Sequence, residues 1–288
     1  MSTVAAIPPP SLLRRRHLLA LGLLGTTMPA LAQTVAGRAG TARTGIRSGE
    51  SRVALVIGNA DYAVRPLRNA VTDARSVAAT LRDLGYELVT RENATLPMLI
   101  DAMKSFWLKS RDADVRVVYF SGHGMQYHGR NYLVPVDAAI DREADVPRKA
   151  AALDEMIDKV AEAGRGVNIV ILDACRTPPV NLPKTRSLGS TGPFAPGLAQ
   201  VVAPQGTVVA FSTAPGAVAY DGSDGASPYT RNLIAQLRVP GQPIEQMFKR
   251  VRAAVARETA DRQVPWETSS LTGDFCFRQG PSGRCPGA

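Results

Sequence analysis

Four short segments of this chain are almost wholly apolar and rich in Val and Ile, and stretches with helical periodicity separate them. The four segments are residues 53–58, 115–121, 167–173 and 206–212. An apolar run of this length without alternation is typical of a strand that is covered on both faces of its sheet. Strands that alternate with helices predict a mostly parallel sheet with helices on both faces, so the sequence predicts an α/β fold.

The periodic stretches predict five helices. Residues 70–84 have apolar positions close to a 3.6-residue period, and Gly85 stands just past their end. Thr95 is a suitable N-cap for a helix that runs to about residue 109, with Pro97 tolerated in its first turn. Three more helices are expected at 153–163, 229–237 and 244–259, and a short strand at 86–90.

Two regions depart from this alternation. Residues 124–135 contain His128-Gly129-Arg130-Asn131, a turn signal between short extended pieces, which predicts a small hairpin beside the sheet. Residues 176–205 are rich in Pro, Gly and Ser and have no amphipathic period. A segment of this length inside a compact domain is usually a functional loop or a cleavable linker.

The composition excludes two broad classes of protein. With 288 residues and 45% hydrophobic side chains, the chain is not intrinsically disordered as a whole. Its net charge of +9 falls to +6, from 31 basic and 25 acidic residues, once Arg14, Arg15 and Arg16 are set aside as part of a targeting segment. This remaining charge is spread along the chain, which favours solubility rather than nucleic-acid binding.

The N-terminus has the pattern of a signal peptide. A basic cluster precedes the apolar run 18–24, and Ala30-Leu31-Ala32 supplies the small residues that a signal peptidase requires. We therefore expect residues 1–32 to be cleaved, 33–50 to be a flexible lead-in, and the protein to be exported to the periplasm or secreted. Arg15-Arg16 also loosely fits a twin-arginine signal. The apolar run is too short to cross ~30 Å of hydrocarbon, so a permanent membrane span is the weaker alternative.

Export makes the three cysteines informative. Cys276 and Cys285 lie nine residues apart in a Gly/Pro-rich tail, where an oxidising compartment allows a small disulfide. Cys175 is then left over. A leftover thiol in an exported protein is either a buried inert side chain or a reactive one.

Candidate catalytic residues stand where the apolar strands end. Ligands of an open parallel sheet bind beyond the carboxyl ends of its strands. Gly122-His123-Gly124 follows one strand, Asp173-Ala174-Cys175 ends the next, and Ser212 ends the last. A cysteine thiolate is a strong nucleophile, and a neighbouring imidazole takes its proton or pairs with it as an ion. The glycines beside His123 allow a substrate backbone to approach and leave the Gly124 amide as a donor.

Less specific interpretations stay open at this point. Cys175 alone is more often a small buried side chain, and His123 alone is a turn histidine. His128 is the other candidate base. His123 and His128 have no third ligand at a suitable spacing, so no metal site is predicted. No GxGxxG or GxxxxGK[ST] motif follows a strand, so nucleotide binding has no support.

Four blocks of the sequence resemble the caspase-like cysteine peptidases, and most closely their bacterial metacaspase relatives, also called orthocaspases. Caspases share the signature Q-A-C-[RQG]-G with a histidine about 50 residues upstream. Here Asp173 replaces the Gln, which points to the metacaspase branch, and Thr177 replaces the last Gly. The four blocks are ALVIGNADY…PLRNAVTDARSVAATL (54–81), VVYFSGHGMQ…NYLVPVDA (117–138), IVILDACR (169–176) and GASPYTRNLI…RQVPWETSSLTGDF (225–275).

The resemblance implies a caspase-like three-layer sandwich over 51–277, followed by a tail at 278–288. It implies that Cys175 attacks a peptide carbonyl with His123 as its proton partner, and that the Gly124 and Cys175 amides form the oxyanion hole. The partner is then a protein or peptide substrate, and no cofactor is required. Calcium activates several metacaspases, but no compact Asp/Glu loop in this sequence has the spacing that predicts a calcium site.

Asp73 and Asp173 predict the substrate preference. Asp173 lies two residues before Cys175, and alternation along a strand puts both on the same side. Asp73 resembles the second acidic residue of the first specificity pocket in metacaspases, and Ser212 is expected to contact the substrate at the same rim. Two carboxylates suit a guanidinium, so cleavage after Arg or Lys rather than Asp is expected. The alternative is that Asp73 caps its helix or faces solvent and Asp173 bonds loop amides.

Two rival functions stay open from the sequence alone. A caspase-fold binding or signalling module with a vestigial dyad is one, although this chain keeps both the His and the Cys. Another thiol enzyme, such as an amidase or transpeptidase, is the second. Lys184 and Arg186 make the 176–205 segment a candidate activation linker, with a loop that frames the substrate as the alternative.

Overall fold

The computed structural model describes residues 49–175, 197–215, 217, 219, 222, 225–281, 283 and 285, and of Cys175 it describes only the backbone. The signal peptide expected at 1–32 and most of the lead-in lie outside these residues. So do Lys184 and Arg186, together with most of the 176–205 segment.

The fold is a mostly parallel β-sheet between two layers of helices, as the alternating pattern predicts. In chain order the strands are β1 (Arg52–Gly58), β2 (Glu87–Glu92), β3 (Val115–Tyr127), β4 (Arg130–Leu133), β5 (Ala151–Ala152), β6 (Val167–Cys175), β7 (Thr207–Phe211) and β8 (Trp266–Ser269). The helices are α1 (Ala70–Asp83), α2 (Leu96–Ser110), α3 (Val146–Lys149), α4 (Leu153–Ala161), α5 (Pro228–Leu237) and α6 (Ile244–Glu258).

The strand order across the main sheet is β2-β1-β3-β6-β7-β8. Every neighbouring pair is parallel except β7 and β8, which are antiparallel. The carboxyl ends of β1, β3, β6 and β7 therefore lie along one edge of the sheet, where the sequence places its candidate residues.

Strand alternation divides the core into two layers. Ala54 and Val56 of β1 pack with α1, α5 and α6, while Leu55 and Ile57 pack with α2 and α4 on the opposite face. All seven residues of β1 are buried, which explains why its sequence is apolar without alternation. Thr95 caps α2 as predicted, since its hydroxyl accepts a hydrogen bond from the Met98 amide.

The hairpin beside the sheet is also present where it was predicted, since Gly124 of β3 pairs with Leu133 of β4. β3 runs without interruption from the parallel sheet into the hairpin and ends at Tyr127. The turn that follows consists of His128 and Gly129, with φ angles of 47° and 75°. Two successive residues with positive φ are typical of the tight turns that join antiparallel strands.

Three parts of the fold add detail that the sequence did not predict. β8 was not predicted, because this half-exposed strand has no apolar run and exists through its pairing with β7. The stretch 143–152 adds a 3₁₀ turn, α3 and β5. The end of the 176–205 segment packs on the core, with Leu198 and Val201 buried on the α2 and α4 face.

The C-terminal tail is tied to the start of the sheet. Cys276 and Cys285 form a disulfide with their Cα atoms 5.6 Å apart. Between them in sequence, the carbonyl of Phe277 accepts a hydrogen bond of 2.9 Å from the guanidinium of Arg52, the first residue of β1. These contacts lie at the amino ends of the strands. Among the residues described, no helix has both the length and the apolar character needed to cross a membrane.

Candidate active site

The last residue pair of the β3–β6 ladder is His123 with Cys175. Neighbouring strands lie about 4.8 Å apart, so the backbones of these two residues are side by side at the carboxyl edge of the sheet. The two residues are 52 positions apart in sequence. Their proximity follows from the parallel pairing of two buried apolar strands whose shared ladder ends at this pair.

β3 changes its partner on one side at His123. Earlier in the strand, the Ser121 carbonyl accepts a hydrogen bond from the Asn59 amide beyond the end of β1. At His123 the carbonyl accepts from the Val134 amide at 2.9 Å. The hydroxyl of Tyr62 lies between the backbones of His123 and Val134. It accepts a hydrogen bond from the His123 amide at 2.9 Å and donates one to the Val134 carbonyl at 3.0 Å. Hydrogen bonds to both its amide and its carbonyl thus fix the backbone of His123.

The imidazole of His123 is buried, with 2% of the residue exposed. Its Nε2 lies 2.7 Å from the backbone carbonyl of Arg65. A carbonyl only accepts hydrogen bonds, so Nε2 carries the hydrogen, and Nδ1 holds the lone pair in the neutral ring. The ring of Tyr62 packs against the imidazole with centroids 4.3 Å apart. The tautomer and the orientation of the ring are therefore both set by neighbours.

Arg65 itself has an unusual backbone. Its φ of 56° lies in the left-handed region, which costs a non-glycine residue roughly 1–2 kcal/mol. Strain of this kind concentrates at functional sites. Here it accompanies the carbonyl that orients the candidate base.

His128 lies elsewhere. It is exposed at the tip of the β3–β4 turn, five residues further along than His123, or about 16 Å at strand spacing. Of the two candidate histidines, the geometry puts His123 beside Cys175. Within the described ranges, no group of three or more His, Cys, Asp or Glu residues is placed to hold a metal ion.

Gly124 follows His123 and pairs with Leu133 of β4. Antiparallel pairs alternate between bonded and non-bonded types, and the preceding pair contains the bond from Val134 to His123. The Gly124 amide therefore points away from β4, toward the side of β3 where β6 lies. A Cβ atom on Gly124 would lie 3.2 Å from Leu198 and 3.3 Å from Ala174, so glycine also suits the tight packing here.

Asp73 and Asp173 come together through one residue, Ser227, which precedes α5. Asp73 is in the first turn of α1 and is 1% exposed, and its two carboxylate oxygens accept from the Ser227 amide at 3.1 and 3.2 Å. Asp173 is 6% exposed, and its Oδ2 accepts from the hydroxyls of Ser227 and Thr230, the latter at 3.0 Å. Two buried carboxylates thus lie on either side of Ser227.

A tyrosine extends this network behind Asp173. The Tyr119 hydroxyl lies 2.5 Å from the Thr230 hydroxyl. Because Thr230 donates to Asp173, Tyr119 must be the donor to Thr230. Burial raises the pKa of Tyr119 well above its usual value, and the charges of Asp173 and Asp73 raise it further. Tyr119 therefore stays protonated and keeps its role as a donor.

Comparison with known proteins identifies the family of the chain. A family model described as the caspase domain, a peptidase family, matches residues 51–276. The chain belongs to the caspase-domain peptidases. The resemblance of the four sequence blocks to the caspase-like cysteine peptidases is confirmed, and so is the α/β fold that it implies.

Two curated relatives share part of this caspase domain. The mucosa-associated lymphoid tissue lymphoma translocation protein 1 homolog of Mus musculus is 27% identical over 135 residues, or 46% of this chain. The mucosa-associated lymphoid tissue lymphoma translocation protein 1 of Homo sapiens is 27% identical over 128 residues, or 44% of this chain. The matched stretches are only 16% and 15% of those proteins' own lengths.

The structure places Ser212 at the same edge of the sheet but, among the described residues, does not bond it to the two carboxylates. It follows β7, its amide donates to the Leu172 carbonyl, and its own carbonyl accepts from Gln263 at 2.8 Å. Its hydroxyl is buried, and none of the described residues provides it with a hydrogen-bond partner. No described hydrogen bond joins Ser212 to Asp73 or Asp173. Its role in substrate binding stays a prediction.

Sequence reasoning missed several residues of the site. Ser227 carried a signal, because a serine followed by proline is a common start of a helix, yet the helix was expected to begin at Tyr229. Tyr62 and Arg65 carried none. They contact His123 across 61 and 58 positions of the chain, and no local pattern reports such contacts.

Proposed function

We propose that this caspase domain is a cysteine endopeptidase that cleaves peptide bonds after Arg or Lys, with Cys175 as the nucleophile and His123 as its proton partner. The observation that carries the proposal is the pairing of His123 with Cys175 at the end of the β3–β6 ladder. The contact of Nε2 with Arg65 supports it, because thiol activation needs an oriented imidazole whose other nitrogen accepts a proton.

In the proposed reaction, Nδ1 of His123 takes the thiol proton of Cys175, and the thiolate attacks the carbonyl carbon of the substrate. The negative charge that develops on the carbonyl oxygen accepts hydrogen bonds from the Gly124 and Cys175 amides, each contributing roughly 2.7–4 kcal/mol. The tetrahedral species then collapses, the C–N bond breaks, and the leaving amine takes the proton from the imidazolium. Water, deprotonated by His123, hydrolyses the thioester and restores the thiol.

The proposed preference for basic residues rests on Asp73 and Asp173. Both are buried near the carboxyl end of β6 and contact the same residue, Ser227. Paired carboxylates attract a guanidinium or an ammonium and repel an acidic side chain. The Asp at position 173 also supports placing the chain in the metacaspase branch. No step of the reaction requires a cofactor.

A fluorogenic peptide panel tests the proposal. Matched peptides with Arg, Lys or Asp before the scissile bond are incubated with the full chain as exported, with and without calcium, and with Cys175→Ala as the control. We expect cleavage of the Arg and Lys peptides only, and none by Cys175→Ala. An electrophilic Arg peptide should also label Cys175 covalently.

The same assays separate the rival functions. Covalent labelling without cleavage of internal peptide bonds would indicate an amidase or transpeptidase. Neither labelling nor cleavage would indicate a binding or signalling module.

We also propose that the protein is exported and that residues 1–32 are removed. The basic cluster, apolar run and Ala-Leu-Ala segment support this proposal. N-terminal sequencing of the chain recovered from the periplasm or the medium should begin near Gln33, and an uncleaved membrane-bound chain would contradict it.

A further inference from the structure

Ser227 contacts both buried carboxylates and the start of a helix. Its amide donates to both oxygens of Asp73, and its hydroxyl donates to Oδ2 of Asp173. Its oxygen also accepts from the Thr230 amide at 2.9 Å, as the N-cap of α5. The residue is 2% exposed. We call these contacts to Asp73 and Asp173 the Ser227 bridge.

The Ser227 bridge stabilises the two carboxylates against two unfavourable effects, their burial and their mutual repulsion. Burial disfavours a charged carboxylate, and a second carboxylate nearby disfavours it further. Hydrogen bonds from N–H and O–H donors stabilise the charged form, and so does the N-terminus of a helix. Asp73 receives the Ser227 amide and lies in the first turn of α1, and Asp173 receives two hydroxyls at the start of α5. Ser227 takes part in both sets of contacts.

The Ser227 bridge also fixes the geometry of the pair. Asp73 belongs to α1 and Asp173 to β6, and Ser227 at the start of α5 is bonded to both. A planar guanidinium needs acceptors at a set separation and angle, whereas an ammonium is a compact charge that tolerates displacement. Accurate placement of the two carboxylates therefore matters more for Arg than for Lys.

We propose that Ser227 is a positioning residue that sets the preference of this site for Arg over Lys. The inference rests on the proposed cleavage after basic residues, and it adds a residue that acts through Asp73 and Asp173 rather than on the substrate itself. The Ser227 hydroxyl stabilises the negative charge of Asp173. The Ser227 amide fixes the position of the Asp73 carboxylate relative to that of Asp173.

The test compares kcat and KM for matched Arg and Lys peptides in the full chain and in Ser227→Ala. We expect KM for the Arg peptide to rise roughly tenfold, as for loss of a hydrogen bond to a charged group, and KM for the Lys peptide to rise less than threefold. The kcat values should change little. Ser227→Thr keeps a hydroxyl and should restore the Arg preference.

A matched control separates positioning from helix capping. Thr95→Ala removes the N-cap of α2, which packs on the opposite face of the sheet. It should lower the free energy of unfolding by about 1 kcal/mol, because it removes a capping hydroxyl, yet leave both KM values unchanged. If Ser227→Ala fails to fold, Ser227→Gly removes the same hydroxyl at a smaller cost to the helix start.

Binding to an inactive protein gives a readout that does not depend on turnover. Calorimetry with the Arg and Lys peptides on Cys175→Ala, with and without Ser227→Ala, should show the same selective loss of Arg affinity. Equal losses for Arg and Lys, a change in kcat alone, or no change would overturn the role of Ser227. If the unaltered enzyme cleaves neither peptide, the proposed function itself is wrong.

Discussion

His123 donates the hydrogen on Nε2 to the backbone carbonyl of Arg65 across 2.7 Å, and this contact determines which nitrogen of the ring is available as a base. The arrangement resembles the way a carboxylate orients histidine in other hydrolases, but a backbone carbonyl does it here. A carbonyl holds no charge, so it fixes the tautomer without adding an electrostatic partner for the imidazolium. The chemistry proposed for Nδ1 depends on this orientation.

The first prediction concerns the proposed dyad. Cys175→Ala and His123→Ala should each lower kcat/KM for an Arg peptide by a factor on the order of 10⁴ or more, because each removes a member of a unit that acts together. The fold should persist, as checked by circular dichroism. His128→Ala is the matched control, since His128 is exposed at a turn, and its kcat/KM should stay within about twofold. A larger loss in His128→Ala than in His123→Ala would contradict the assignment.

The second prediction concerns Tyr62, whose hydroxyl bridges the His123 amide and the Val134 carbonyl. Tyr62→Phe keeps the ring contact with the imidazole but leaves these two backbone groups without the bridge. We expect the free energy of unfolding in urea to fall by about 1–3 kcal/mol. We also expect kcat to fall roughly tenfold, because small displacements of a catalytic group are costly. An unchanged kcat together with lowered stability would show that Tyr62 has a structural role only.

The sequence predicted the architecture because the signals for it are local. Each central strand is an apolar run, each main helix has a regular period, and the parallel order follows from their alternation. The position of His123 beside Cys175 needs only one further step, that both follow strands of the same sheet. The apolar runs therefore predicted the fold, and the residues at their ends predicted the candidate dyad.

The parts that the sequence did not predict depend on distant partners. β8 contains Trp266, Glu267, Thr268 and Ser269, a polar stretch that forms a strand only because β7 offers an edge. Asp73 is buried rather than facing solvent and accepts from the Ser227 amide, while Asp173 accepts from the Ser227 hydroxyl, and the role of the two carboxylates in substrate preference stays a prediction. Only the packing of α1, β6 and α5 brings these groups together.

The third prediction concerns the disulfide between Cys276 and Cys285. Alkylation of the oxidised protein without reductant, followed by mass spectrometry, should modify Cys175 alone. Reduction should lower the free energy of unfolding by about 2–3 kcal/mol, since the bond closes a short loop. It should leave KM unchanged, because the bond lies near Arg52 and the amino ends of the strands. Three alkylated cysteines without reductant would contradict the bond.

The fourth prediction concerns Arg116, a buried cation near the start of β3. Burial lowers its pKa, and the nearby charge of Arg165 acts in the same direction. Arg116→Met keeps much of the side-chain volume but leaves buried acceptors without donors, so we expect a loss of about 3–5 kcal/mol in chemical denaturation. A loss below 1 kcal/mol would show that water replaces these bonds. The guanidinium donates to Ser110, Arg111, Ala113, Arg165 and Asn168.

The fifth prediction concerns Asp173. Asp173→Asn removes the negative charge but keeps an oxygen that can accept from the Ser227 and Thr230 hydroxyls, so the fold should be retained. We expect kcat/KM for the Arg peptide to fall on the order of 100-fold, mostly through KM, as when one partner of a buried charge pair is removed.

Asp154 offers the matched control for Asp173→Asn. Its carboxylate is exposed and lies 3.4 Å from Arg130 on the surface, where ion pairs contribute little. Asp154→Asn should therefore leave cleavage after Arg within about twofold of the unaltered enzyme. Should Asp173→Asn cleave the Arg peptide as well as the unaltered enzyme does, or should the unaltered enzyme prefer the Asp peptide, the buried carboxylates would not form the specificity pocket. In that event their hydrogen bonds to Ser227 would serve only to join α1, β6 and α5.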